Sequence, residues 1–373
     1  MFIIIMVYVK DTNELLILLK KYKFQSPKIN LMKKTYFLQL FQDIKNIYNK
    51  LQKSTIDYKN IQNNLALENN NFMTSEITDH CKKLKYGYEF KNNNNIIHYF
   101  TNKEVKKNIP SKIKKIFQII EILKDLFGRN NFQQKITIYD LNLKKYLPTK
   151  NEVIGPNHCN SGLTSVHLDS NGDIILYRNE ELLKVCIHEL LHSNLIDSPL
   201  IFSNISKKFT HNFCFNYTIL LNEAYTECIA VIIHIMYITI LENKNIQYVN
   251  QLFNNEIKYS IYNVSKILDF YKIKSIKEII KINNTCKTYF KQETNVFSYY
   301  FLKLILFFKI NELNNLLIKY TKKYKINNDE FIIQLYELLK NNLSLIDKYR
   351  LKINILYNKY YNNSLRLTLY EIK

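Results

Sequence analysis

The chain has 373 residues, 47% hydrophobic and 14% aromatic, enough for one large core or two smaller ones and incompatible with wholesale disorder. Its formal net charge is +21, yet of the 53 basic residues only Arg129, Arg178, Arg350 and Arg366 carry a guanidinium. Base readout and bidentate phosphate grip favour Arg, and no Lys run is dense enough for a nucleic-acid tail, so the charge is weak evidence for polynucleotide binding and better evidence for steering acidic partners.

The chain divides into three regions. Residues 1–80 read as an N-terminal helical region, with apolar periodicity near Leu15–Tyr22 and Tyr36–Leu51 and an Asn-rich loop at Asn69–Asn71. The opening Met1–Val9 is apolar but lacks a basic n-region and a small-residue cleavage site, so it reads as the start of a strand or helix. Residues 81–198 mix strands and helices. Tyr86–Phe90 and Ile96–Thr101 flank Asn92–Asn95 as a hairpin, Ser111–Phe127 is an amphipathic helix closed by Gly128, and Lys135–Asp140 is a strand. Thr164–Asp169 and Ile174–Arg178 form a second hairpin across Asn171-Gly172. Next comes a helix with Asn179 as N-cap, Glu180 and Glu181 in its first turn and a stop at Ser198-Pro199. Residues 199–373 read almost entirely helical, with breaks near 243–246, 283–285, 325–329 and 341–342.

The helix after the second hairpin carries His188-Glu189-Leu190-Leu191-His192. Four residues rotate a helix by roughly 400°, so His188 and His192 share one face, a turn apart. Two imidazoles so placed can each give a nitrogen to one tetrahedral zinc, and Glu189 beside the first can take the proton of a metal-bound water. A second apolar helix, about Asn216–Leu241, carries Asn222-Glu223-Ala224-Tyr225-Thr226-Glu227. An isolated carboxylate is expensive to bury there, and metal ligation explains Glu223; Glu227, one turn on, can accept from a ligand ring N–H. A solvated stripe of glutamates is the alternative. His234 lies too far along the same helix to reach that metal and reads as a core histidine, while His158, Cys159 and His167 match no closed zinc spacing.

HExxH followed by NExxxE resembles the gluzincin branch of zinc metallopeptidases, which includes thermolysin and the zinc aminopeptidases. The likeness covers roughly residues 155–235, and the 31 positions between His192 and Glu223 exceed the thermolysin spacing. More loosely, Asn160-Ser161-Gly162 through Arg178 is similar to uncharacterised metallopeptidase-like proteins of large nucleocytoplasmic DNA viruses. The resemblance implies an α+β, zincin-like fold: a small mixed sheet whose hairpin precedes the metal-binding helix, and a mostly helical C-terminal half that brings the third ligand. It implies one Zn2+ per chain on His188, His192 and Glu223, Glu189 as general base, Glu227 behind the ligands, and an oxyanion donor remote in sequence. Tyr299 and Tyr300 are the candidates for that donor, although with 29 Tyr in the chain either also reads as core. The expected substrate is a protein or peptide. A non-catalytic interaction protein retaining a zinc site, or a basic nucleic-acid-associated factor, are the alternatives, and the oligomeric state is left open.

The six cysteines, Cys81, Cys159, Cys186, Cys214, Cys228 and Cys286, show no pairing rhythm, which fits a reducing, cytoplasmic compartment, or host cytoplasm or virion for a viral protein. The longest apolar run, Cys228–Leu241, is shorter than a membrane span, and extending it back to Tyr217 would place Glu223 and Glu227 in lipid, so a membrane-embedded site is disfavoured.

Overall fold

The computed structural model describes residues 8–51, 55–63, 73–105, 108–149, 152–165, 172–201, 203–281, 290–351 and 363–372. Its elements begin with α1 (Lys10–Leu19), α2 (Thr35–Lys50), β1 (Asp57–Ile61), α3 (Ser75–Lys82), β2 (Tyr86–Asn92), β3 (Asn95–Thr101), α4 (Ser111–Leu126) and β4 (Lys135–Tyr139). A short turn of helix, α5 (Pro156–Cys159), leads to β5 (Gly162–Thr164), β6 (Ile174–Leu176) and α6 (Leu182–Ser193). The C-terminal half comprises α7 (Ser198–Ile201), α8 (Ile205–Thr210), α9 (Leu221–Leu241), α10 (Ile246–Phe270), a π-helical turn (Phe297–Leu302), α11 (Lys303–Phe308), α12 (Ile310–Tyr320), the minimal hairpin β7 (Thr321–Lys322) and β8 (Lys325–Ile326), α13 (Asp329–Asn341) and α14 (Ser344–Tyr349).

The architecture is α+β. Six strands form one mixed sheet in the order β1-β2-β3-β4-β6-β5. The pairs β1–β2, β2–β3 and β5–β6 are antiparallel, whereas β3–β4 and β4–β6 are parallel. Local chemistry explains the first hairpin: Asn93 takes φ 51° between β2 and β3, a left-handed conformation that Asn tolerates well. Helix α4 buries Ile113, Ile116, Phe117, Ile120 and Leu123 at helical spacing and ends at Gly128, whose φ of 64° suits a C-terminal glycine. The first hairpin and this helix lie where the pattern places them, whereas of the second hairpin's expected first strand, Thr164–Asp169, residues 166–169 lie outside the described residues. The turn of the second hairpin lies outside the described residues, and β5 pairs with β6 from Gly162 rather than from Thr164.

Helix α9 is apolar on every face and buried from Leu221 to Thr239, so it forms the axis of the C-terminal half. It is long and apolar enough to cross a membrane, but 89% of its most apolar window is buried inside the fold. It begins at Leu221 rather than Asn216, because the Asn216 side chain is committed to bracketing the backbone of Gln292.

Four expectations are corrected. The N-terminal region contains strand β1, whose residues are mostly exposed and so lack an apolar period. Glu180 and Glu181 are not first-turn residues of the metal-bearing helix. That helix starts at Leu182, and Glu181 sits before it at φ 59°. Its carboxylate pairs with buried Lys145 at 2.7 Å, while Glu180 accepts from the Lys145 backbone N–H at 2.6 Å. The helix ends at Ser193, and Ser198-Pro199 opens α7 rather than closing it. Lastly, residues 363–372 are not helical. They run extended through the interior, with Leu365, Arg366, Thr368 and Leu369 fully buried. Cys214 is disulfide-bonded, which the cysteine spacing does not foretell, whereas Cys81, Cys159, Cys186 and Cys228 are free and buried.

The Lys145–Glu181 pair is fully buried, and Glu181 also accepts from the Thr368 backbone N–H at 2.6 Å. Breaking such a pair from one side strands the remaining charge in a low-dielectric interior. Glu181→Ala should therefore lower stability by about 3–5 kcal/mol, measured by chemical denaturation. A loss under about 1 kcal/mol would show that the pair is hydrated and not buried as described.

Candidate metal centre

Helix α6 is buried along its whole length, and a turn of helix separates His188 from His192 as the spacing requires. Helix α9 packs against it and presents Glu223 from its first turn. His188 Nε2 and His192 Nε2 lie 3.1 Å apart, and Glu223 Oε2 is 3.3 Å from the first and 3.5 Å from the second. Among the described residues this is the only cluster of three or more His, Cys, Asp or Glu groups able to hold a metal ion.

These distances have a direct meaning. A tetrahedral zinc with ligands at about 2.0–2.1 Å has donor–donor edges of about 3.3–3.4 Å. The three atoms thus span one face of such a tetrahedron. Glu223 Oε2 is buried without an aligned hydrogen bond, an orphaned acceptor of the kind a cation satisfies. The donor set, two imidazoles and one carboxylate, fits a divalent metal such as zinc.

The outer nitrogens of both rings face carboxylates. His188 Nδ1 lies 2.9 Å from Glu227 Oε2, an ion-pair contact, and His192 Nδ1 lies 2.8 Å from Asp197 Oδ2. Asp197 is held in turn by the Asn222 amide at 3.2 Å. Carboxylates behind both rings favour the tautomer that turns Nε2 inward as an acceptor. Burial alone would depress both imidazoles. Glu223 and Glu227 override it at His188, and Asp197 and Glu223 do so at His192, so both are pushed above the ordinary histidine range. Burial likewise opposes the charged forms of the two glutamates. The rings hold Glu223 well below the usual carboxylate range, and Lys184 and Lys303 do the same for Glu227. The charge of Glu223 is thus met either by protonated rings or by a cation that takes the protons' place.

Glu189 lines the same cleft as His188, His192 and Glu223, beside β5, where the Thr164 hydroxyl donates to its Oε2 at 2.6 Å. A Cβ on Gly162 would stand 3.1 Å from Glu189 Oε1 and 2.9 Å from Leu176, so the strand can lie this close only as glycine. A cleft of about 490 Å3 opens over the cluster, walled by Leu163 and Thr164 on one side and Ile201, Lys207 and Leu220 on the other. Tyr299 lines it, its ring centroid 6.0 Å from that of His188. Tyr300 does not: its hydroxyl points into the interior and donates to the Leu365 carbonyl at 2.5 Å. Adjacent residues of a helix point roughly 100° apart, which accounts for this split.

The structure thus brings His188, His192, Glu223, Glu227, Glu189 and Tyr299 together, and leaves Tyr300 out. His234 is buried in α9 away from the cluster, and burial lowers its pKa to about 3. His158 accepts from the Gly155 N–H through Nδ1, and His167 lies outside the described residues. Sequence reasoning misses Asp197, Lys184, Lys303 and Thr164. Lys184 was visible in principle, because it precedes His188 by one turn in a stretch that is otherwise apolar.

No protein-family model matches the chain, and no solved structure matches it significantly. Among curated proteins, it is 28% identical over 210 residues to an uncharacterized protein of Acanthamoeba polyphaga mimivirus. That match covers 53% of this chain and 52% of the relative. The chain therefore spans about half the length of that relative. The likeness accords with the viral side of the resemblance and says nothing of activity.

Purified protein should take up one zinc per chain, and Glu223→Ala should reduce the stoichiometry or weaken binding by at least about tenfold, measured by chelator competition. Protons compete for the same nitrogens, which the neighbouring carboxylates keep protonated to a higher pH than an ordinary histidine. Zinc affinity should accordingly strengthen as pH rises through about 6.5 and beyond. A flat pH profile from about 5.5 to 8 would contradict the convergence.

Proposed function

We propose that the chain is a zincin-like, zinc-dependent metallopeptidase. The observation that carries this reading is the match between the His188, His192 and Glu223 donor edges and one face of a zinc tetrahedron, with a carboxylate and an open cleft beside it. Those three residues would hold the metal, which when bound supplies a Lewis acid and lowers the pKa of its water.

The residues around it have distinct tasks. Glu189 takes a proton from the attacking water and delivers it to the leaving amine, and the Thr164 hydroxyl fixes one of its oxygens so that the other is free to do so. Tyr299 is kept protonated by burial and by the charge of Glu223, so it remains a donor at neutral pH and can meet the oxygen on which charge develops. Strand β5 is the edge of the sheet, its outer side unpaired among the described residues of that sheet, and Leu163 and Thr164 line the cleft. An extended peptide can add to that edge antiparallel, its main chain held by ladder hydrogen bonds and its side chains meeting the far wall. Lys207 on that wall and the net charge of +21 favour acidic sequences.

Glu189→Gln should leave zinc binding intact while abolishing cleavage of a mixed peptide library. Tyr299→Phe should lower kcat by about 10²–10³ with little change in KM. A wild-type protein that binds zinc but cleaves nothing in such a library would replace the enzyme reading with that of a zinc-stabilised interaction protein.

A further inference from the structure

The extended segment Asn363–Ile372 is held like a ligand. Its backbone is met by side chains from several elements: the Tyr300 hydroxyl on the Leu365 carbonyl, the Asn263 amide on the Arg366 carbonyl at 2.9 Å, and the Lys303 ammonium on the Leu367 carbonyl at 2.6 Å. In return the Thr368 N–H donates to Glu181 at 2.6 Å, and the Leu369 N–H to Glu256 at 3.0 Å. Side chains that capture a main chain in this way fix its position atom by atom, where a sheet ladder would allow slippage.

Three of these anchors belong to the elements that build the metal centre. Glu181 sits at the start of α6, which carries both histidines. Tyr300 neighbours Tyr299 in the π-helical turn. Lys303, at the start of α11, reaches both ways: its ammonium is 2.6 Å from the Leu367 carbonyl and 3.6 Å from Glu227 Oε1. Glu227 is the carboxylate behind His188, gripped from its other side by Lys184 at 2.8 and 2.9 Å. The Leu367 side chain closes the small recess behind the metal helix, beside His188, Glu189 and Tyr299.

We propose that Lys303 is a positioning residue that couples the seating of this strap to the metal centre, so that Glu227 holds His188 in its ligating arrangement only when Leu367 is docked. This rests on the metal reading given above. The Leu367 carbonyl is what holds the Lys303 ammonium between strap and carboxylate. Without it the ammonium would swing toward Glu227 alone and pull that carboxylate off the His188 ring. Coupling of this kind is reciprocal: whatever the strap does for metal affinity, metal must do for the strap.

The test uses the full chain, with zinc ion as probe. Amide hydrogen exchange of residues 364–369 is followed with and without zinc, in wild type, Lys303→Met and the conservative Lys303→Arg, with circular dichroism verifying that each variant folds. Zinc should slow exchange across 364–369 in wild type, and Lys303→Met should lose that response while binding zinc about 10- to 100-fold more weakly. Lys303→Arg should recover most of both. If zinc protects α6 and the first turns of α9 but leaves the strap unchanged, the coupling is overturned. The same holds if Lys303→Met loosens the strap yet binds zinc as wild type does. Should wild type bind no zinc at all, the metal reading fails separately. The coupling is then decided by apo exchange at Glu223–Cys228, which Lys303→Met must accelerate for the proposal to stand.

Discussion

A buried carboxylate needs positive charge beside it, whether from protonated imidazoles or from a bound cation. Two imidazole nitrogens and a carboxylate oxygen meet at 3.1–3.5 Å in the centre of this fold, and most of what surrounds them serves to make that meeting tolerable. Glu227 and Asp197 direct the rings inward, Lys184 and Lys303 balance Glu227, and Asn222 steadies Asp197. The apolar bulk of α6 and α9 holds the two helices in contact and keeps water from diluting these interactions.

This accounts for an otherwise costly feature, the number of charged side chains with no exposure. Lys145, Glu181, Lys266 and Glu256 are all fully or almost fully buried and touch either the extended C-terminal segment or a group that does, and fully buried Arg366 lies within that segment. Buried pairs contribute little to stability relative to apolar replacements, but they discriminate strongly against wrong arrangements. A segment without a sheet ladder or a helical repeat needs that discrimination, since nothing periodic sets its register.

Much of the centre was legible because it obeys helix periodicity. The pair His188 and His192, the carboxylate beside the first, and Glu223 with Glu227 on a second apolar helix are patterns of about 3.6 residues per turn, and the geometry keeps them. The β2–β3 hairpin was legible from its turn and alternation, and β6 from its apolar run, but β5 begins two residues earlier than the alternation suggested. What escaped depends on distance in space with no local signature. Asp197 comes from a turn whose shape is set by the left-handed Leu195, and Lys303 from a helix more than a hundred positions beyond the histidines. The path of residues 363–372 did carry a signal, since Leu365, Leu367 and Leu369 alternate with Arg366 and Thr368 as in a strand, but the burial of both alternating sets has no local signature. Glu180 and Glu181 show the opposite hazard: a plausible helix-start pattern was real as sequence, but both carboxylates were claimed by Lys145.

The π-helical turn at Phe297–Leu302 holds one residue more than an α-helical turn of the same height. That surplus sets how Tyr299, which lines the cleft, is turned relative to α11, whose Lys303 reaches the interior. Loss of a single residue there would restore a regular helix and rotate the chain upstream of it by roughly 100° relative to α11. The phenol would leave the cleft although no side chain had been exchanged. In this stretch chain length itself carries information, and among kindred sequences a gap of one position would signify more than many substitutions.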